Sequence, residues 1–203
     1  MVNSSDIYAV LPIIVLLVWA MLVLLVDLGI PANRKGITAV LAAVGLAFSF
    51  GLTLAQTGQS LLAFNGMAVV DGFAVLLNVI FLLSGIAGVA LAHDYLKRME
   101  SSRGEYYVLL LFSIGGMMLM SYANDLIVVF LALELLSIPL YILSAMMHQN
   151  PRSEEAGLKY FLLGTFSSAF VLYGVALMYG ATARTDLPGI IAAVTGAPAN
   201  MPL

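Results

Sequence analysis

Six stretches of this chain are each long and apolar enough to cross a bilayer, and that feature decides most of what the chain can fold into. A spanning helix needs about 20 apolar residues. The stretches run over residues 8–28, 37–56, 72–93, 105–123, 125–147 and 154–180. Backbone polar groups cannot be left unpaired in hydrocarbon, so runs of this length predict helices. Composition agrees: 62% of residues are hydrophobic and 9% charged, with a mean hydropathy of +1.05. A soluble domain carries about 25% charged residues. The expected fold class is therefore an all-α integral membrane protein, a six-helix transmembrane bundle. No internal repeat, low-complexity segment or soluble domain interrupts residues 1–203, which read as a single transmembrane domain.

A net charge of −3 gives no basic field for nucleic acid, so no nucleic-acid partner is expected. The absence of cysteine excludes disulfides, thiolate metal sites and thiol nucleophiles. The first apolar run is too long for a signal-peptide core and has no basic segment before it, so it reads as a retained helix.

The eight Lys and Arg residues give an expected orientation. Arg34 and Lys35 lie between spans one and two, Lys97, Arg98 and Arg103 between three and four, and Arg152 between five and six. Only Arg184 lies on the other side, and Lys159 falls inside span six. The positive-inside rule then puts the N-terminus outside and the basic loops in the cytoplasm. Asn124 and Asp125 suit a tight turn into the fifth helix, and Asn150 followed by Pro151 suits the start of the sixth. Residues 57–71 are too short and mixed to cross. After span six, Asp186, Pro188 and GIIAAVTG predict a short capped helix at the outer surface, and APANMPL a tail; these make up an outer segment over 181–203.

Glu134 lies near the middle of the fifth run. An acidic residue there costs roughly 2.5 to 3.5 kcal/mol on insertion scales, so such residues face a bundle interior or water and mark ion or proton paths. Ser137, Tyr141, Ser144 and His148 follow at +3, +7, +10 and +14. At about 100° per residue the five positions fall within an arc of roughly 80°. They form one polar stripe, about 21 Å long at 1.5 Å per residue, from mid-membrane to the cytoplasmic end. It is a candidate proton access path from inside. Pro139 cannot donate to the carbonyl of Leu135 and should kink the helix beside the glutamate. Serines and tyrosines at this spacing also serve as interhelical glue, so packing remains an alternative for the stripe.

Lys159 has two readings. As an anchor, it snorkels toward the cytoplasmic end and pairs with Glu155 at i−4. As a proton carrier, it reaches Glu134 or an intervening water, and the pair is tuned by burial against charge. Asp71 reads as the cap of span three, and Asp27 as a residue near water at the cytoplasmic end of span one. Ser84, Gly88 and Ala92, and separately Gly164 and Ser168, read as small-residue contact faces. His93 and His148 stand singly, so no metal site is expected, and no residue is assigned as catalytic or cofactor-binding.

The stretches LALELLSIPLYILSAM and EEAGLKYFLLGTFSSAFVLYGVALMYGATARTDL, with VDGF at the start of span three, resemble the antiporter-like subunit N family of bacterial NADH:quinone oxidoreductase, respiratory complex I. The resemblance implies a fold of about fourteen helices with two inverted five-helix repeats. Residues 1–203 would hold the leading three helices and the start of the first repeat. It also implies that Glu134 and Lys159 are proton-channel residues. The implied role is a proton-translocating membrane-arm subunit of a translocase, not catalytic in isolation, with lipid and other membrane-arm subunits as partners. NAD, flavin, iron–sulfur clusters and quinone would belong to the wider complex, and no cofactor to this chain. Related roles share the glutamate-bearing helix: a subunit of a multi-subunit cation/proton antiporter or of a membrane-bound hydrogenase. A truncated structural membrane module is the reading from another class.

Overall fold

The computed structural model describes residues 3–31, 34–98, 103–147 and 150–196. Six of its helices are long and apolar enough to cross a membrane: α1 (Ser4–Asp27), α2 (Gly36–Ala55), α3 (Gly72–Arg98), α4 (Glu105–Tyr122), α5 (Leu126–Ser144) and α6 (Pro151–Thr182). A short helix α7 (Leu187–Thr195) follows. The first four spanning helices form a closed ring in which α1 packs on α2, α2 on α3, α3 on α4, and α4 back on α1. Its interior is filled by Leu16, Leu46, Leu82, Leu111, Ile114 and Met118, all inaccessible or nearly so. Helix α5 packs on the outside of α4, and α6 on the outside of α5. The chain is thus a multi-pass membrane protein whose last spanning helix is almost uncovered, with only Gly157 and Ser168 buried on it.

Small residues set the closest approaches. An ideal Cβ on Gly116 would fall 2.4 Å from the backbone nitrogen of Leu136, so α4 and α5 touch backbone to backbone there. On the next residue, a Cβ at Gly115 would meet the Leu17 side chain of α1 at 2.6 Å. Adjacent glycines therefore let α4 be squeezed between α1 and α5, as small residues do in membrane helix packing. On α3 the contact face carries Gly85, Val89, Ala92 and Leu96, whereas Ser84 is exposed. The expected Ser84–Gly88–Ala92 ridge is thus corrected: Gly85, against Ile114, replaces Ser84 at the interface.

The six expected spans are found with shifted ends. Helix α3 runs on to Arg98, because Lys97 and Arg98 in its last turn suit the negative end of the helix dipole. Helix α5 stops at Ser144 rather than at 147. The caps fall where the sequence puts them. Asp71 accepts from the Ala74 amide at 2.7 Å, Asp125 from Ile127 at 2.8 Å, Asn150 from Arg152 at 3.1 Å and Asp186 from Gly189 at 2.8 Å. The seven C-terminal residues of the expected tail lie outside the described residues.

Residues 57–71 hold a feature absent from the sequence reading: an antiparallel hairpin of β1 (Leu61–Ala63) and β2 (Ala68–Val70). Its turn places Phe64, Asn65 and Gly66 at φ of 53°, 58° and 88°. A bulky residue rarely adopts that region. The turn is held by Asp6, whose carboxylate accepts from the Phe64 amide at 3.0 Å, and by Asn124, whose side chain donates to the Gly66 carbonyl at 2.8 Å. The Asn124 amide also donates to Met67, Leu187 to Asn124, and Leu126 to Thr185. These bonds clasp the hairpin to the starts of α5 and α7. The Arg184 guanidinium beside Asp186 holds that carboxyl below the usual carboxylate range.

At the opposite, basic end Asp27 is buried rather than near water, which corrects the sequence expectation. Its carboxylate accepts from Lys35 Nζ at 2.6 Å and Thr38 Oγ1 at 2.5 Å. Gly104 sits so close that any Cβ would collide with it. This cluster ties α1, α2 and the α3–α4 connection together. A buried carboxylate is tolerated because both oxygens are bonded and a cation neutralises it.

Candidate functional site

Helix α5 carries Glu134 at its middle, and Pro139 lies inside the same helix, buried. Glu134 is partly buried overall, yet its Oε1 is enclosed and has no hydrogen-bond partner. An orphaned buried polar atom is uncommon, and a carboxylate oxygen without a donor is the most expensive kind. Within this chain the only other such side-chain atom among the described residues is Asn78 Nδ2. Glu134 lies two residues before Leu136, whose backbone meets Gly116 of α4.

Two members of the polar stripe, Tyr141 and Ser144, meet α6. Tyr141 is buried, with its hydroxyl over Gly164 and its ring edge-on to Tyr160 at 4.7 Å and to Phe161 at 5.9 Å. Ser144 Oγ turns back to the Leu140 carbonyl at 2.8 Å, and the Ser144 carbonyl accepts from Ser153 Oγ at 2.8 Å. No side-chain hydrogen bond links Ser137, Tyr141 and Ser144 to one another or to Glu134 among the described residues. Tyr141 is thus a packing residue of the α5–α6 interface in this structure. His148 lies outside the described residues.

Lys159 is on the exposed side of α6 and pairs with Glu155 at 2.5 Å, the side chains being 68% and 62% exposed. The geometry explains why it does not meet Glu134. Gly157 packs on Ala145 and Gly164 on Tyr141, so the two helices run antiparallel with Lys159 near the level of Ser144. Glu134 is ten residues farther along α5, about 15 Å along the axis. The lysine also leans toward its own helix N-terminus, away from the glutamate. The expected Gly164–Ser168 face does lie at this interface, with Ser168 buried.

A second polar group escaped the sequence reading. Pro12 has no amide hydrogen for the Tyr8 carbonyl one turn earlier in α1. Gln56, 1% exposed at the end of α2, supplies the missing donor: its Nε2 bonds Tyr8 O at 2.8 Å and Ala9 O at 3.0 Å. Its Oε1 accepts from the Tyr122 hydroxyl at 2.9 Å. A proline one helix away from a polar residue that ends its own apolar run is the signal that could have found this contact.

Against known proteins, residues 123–202 match the family described as NADH:quinone oxidoreductase/Mrp antiporter, TM. That stretch includes all of α5, α6 and α7. The chain is 40% identical over 193 residues to NADH-quinone oxidoreductase subunit N of Trichlorobacter lovleyi, covering 95% of this chain and 40% of that one. To the Chloroflexus aggregans protein of the same name it is 43% identical over 183 residues, covering 90% and 37%. Among solved structures it is similar to a chain of respiratory complex I from Thermus thermophilus, with a TM-score of 0.72 and 30% identity, covering 91% of this chain and 43% of that one. A chain of the Mrp complex from Dietzia shares the fold at a TM-score of 0.65 and 19% identity, covering 93% and 23%. The chain spans about 40% of the length of the curated relatives it matches. The resemblance carried by the glutamate-bearing helix and the LKYF segment therefore extends over most of the chain, and its fold is antiporter-like.

Proposed function

We propose that this chain, a relative of the subunit N proteins over most of its length, serves in a proton-translocating membrane-arm subunit of an NADH:quinone oxidoreductase. The observation that carries the proposal is Glu134. It stands at mid-span in a helix within the matched family region, on the same helix as Pro139 and next to a backbone-to-backbone contact with α4, with one oxygen enclosed and unpaired. A carboxyl in such a place can bind a proton and release it when a donor or water arrives. Lys159, at the basic end of α6, acts in this reading as the exchange point with the cytoplasm, where its pairing with Glu155 breaks and reforms. Electron transfer belongs to other subunits, together with the NAD, flavin, iron–sulfur clusters and quinone. The N-terminus lies outside and the basic loops face the cytoplasm, on the charge count.

The test is Glu134→Gln in the assembled complex in inverted membrane vesicles. The change keeps shape and removes the titratable charge. Proton pumping, read by quenching of a pH-sensitive dye, should fall severalfold while the complex assembles normally. Pumping at the wild-type rate would remove Glu134 from the mechanism. An unchanged electron-transfer rate but a lost sodium- or potassium-driven proton exchange would favour the cation/proton antiporter reading, which the family description also admits.

A further inference from the structure

A groove of about 1070 Å³ opens at the hairpin end of the bundle. Its floor is α4, at Met117, Met120 and Ser121; one wall is α3, where Phe73, Leu77 and Phe81 recur every fourth residue along one face, and the other is α5 at Leu136. The hairpin and the start of α7 roof it. Phe73 and Leu62, at the mouth, are 66% and 71% exposed, so the groove is open at the side of the bundle. From Phe73 to Phe81 its depth is roughly 12 Å at 1.5 Å per residue. That is close to one leaflet, about half of the roughly 30 Å hydrocarbon thickness, and far short of a spanning helix.

The ends of the groove differ in chemistry. The deep end is apolar, and methionines on its floor can adapt to a flexible chain. The rim carries Ser60, Asn124 and Asp71, with no Lys or Arg among the lining residues. Asp71 uses one carboxylate oxygen to cap α3 through the Ala74 amide. The other has no hydrogen-bond partner among the described residues. An occupant with an apolar tail one leaflet long and a head group that presents an ammonium matches both ends, whereas a head group whose only charge is its phosphate would offer Asp71 no counter-charge.

We propose that this groove binds one acyl chain of an amine-headed phospholipid from the leaflet on the hairpin side, with the ammonium group on Asp71. The site is independent of Glu134 and of the direction of proton movement. The test uses the assembled complex extracted from vesicles of equal phosphatidylethanolamine and phosphatidylglycerol, with retained lipid counted by native mass spectrometry. Wild type should hold one phosphatidylethanolamine more than Met120→Trp, which fills the groove. Its preference over phosphatidylglycerol should be about fivefold, the factor given by an ion pair of about 1 kcal/mol. Asp71→Asn keeps the helix cap, since asparagine caps as well as aspartate, and should retain the lipid but lose the preference. Equal retention by wild type and Met120→Trp, or no headgroup preference in wild type, would overturn the proposal. So would a disulfide between cysteines placed at Leu77 and in another protein segment, since the groove would then be filled by protein.

Discussion

Replacing Gln56 with leucine should destabilise the bundle through two specific orphans. The variant keeps side-chain volume but removes three hydrogen bonds. The Ala9 carbonyl keeps its bond from Ile13 within the helix. The Tyr8 carbonyl does not, because residue 12 is proline, and the Tyr122 hydroxyl, on a residue 1% exposed, loses its acceptor. Each orphan costs about 1 to 3 kcal/mol in a buried setting. Interhelical hydrogen bonds in membranes sit at the low end of that scale, so about 2 to 3 kcal/mol is expected in total. Pro12→Ala restores an amide hydrogen to the Tyr8 carbonyl. In that background Gln56→Leu should therefore cost less by about 1 kcal/mol, one orphan having been removed. Both singles and the double can be unfolded in mixed detergent and followed by Trp19, the one tryptophan of the sequence, whose indole bonds the Leu41 carbonyl across α1 and α2 at 2.8 Å. An equal cost in both backgrounds, within the roughly 0.3 to 0.5 kcal/mol by which independent sites add, would refute the pairing of Gln56 with Pro12.

Lys159→Arg keeps an ion pair with Glu155 and should assemble with normal electron transfer to a soluble acceptor, yet show reduced pumping in vesicles, because guanidinium stays charged where an amine can be neutralised. Full pumping would make Lys159 an anchor only. Gly116→Val should cost about 1 to 3 kcal/mol or more in detergent unfolding, since the added methyls meet α5 backbone that cannot rotate away. Gly174→Ala meets nothing within 4 Å and should be neutral or slightly stabilising; a matching loss at both positions would discredit the close-approach argument. Single cysteines at Lys97 and Asn65, both exposed, should react with an impermeant thiol reagent from opposite sides of the membrane, Lys97 from the cytoplasm. Labelling of both from one side would break the span count.

The spans were legible because apolar length alone identifies a membrane helix, and the caps were legible because Asp71, Asp125, Asn150 and Asp186 each stand immediately before an apolar or proline-led run. The hairpin was not read, although Asn65-Gly66 between apolar residues is its signature, since a length test passes over short elements. Asp27 was misread because its partner Lys35 lies across a loop, at a spacing that no helical periodicity flags. Gly115 and Gly116 are adjacent and serve different neighbours, so a search for small residues on one face overlooks them. At the site itself, the Glu155–Lys159 pair was visible as i and i+4. Of the expected stripe, Glu134, Ser137, Tyr141 and Ser144 lie on α5, which ends at Ser144, and His148 lies outside the described residues. What the stripe meets was not legible: α6 and its aromatic side chains cover Tyr141, and helix–helix register is set by contacts distant in sequence.

The central claim is that Glu134 takes up and releases a proton during turnover. Redox-triggered infrared difference spectroscopy of the assembled complex observes this directly, through the carbonyl band of a protonated carboxyl group in an apolar setting. A band should appear and disappear with substrate addition in wild type, be absent in Glu134→Gln, and persist in Glu155→Gln, whose carboxylate is exposed. A band unchanged in Glu134→Gln would mean that the proton is carried elsewhere.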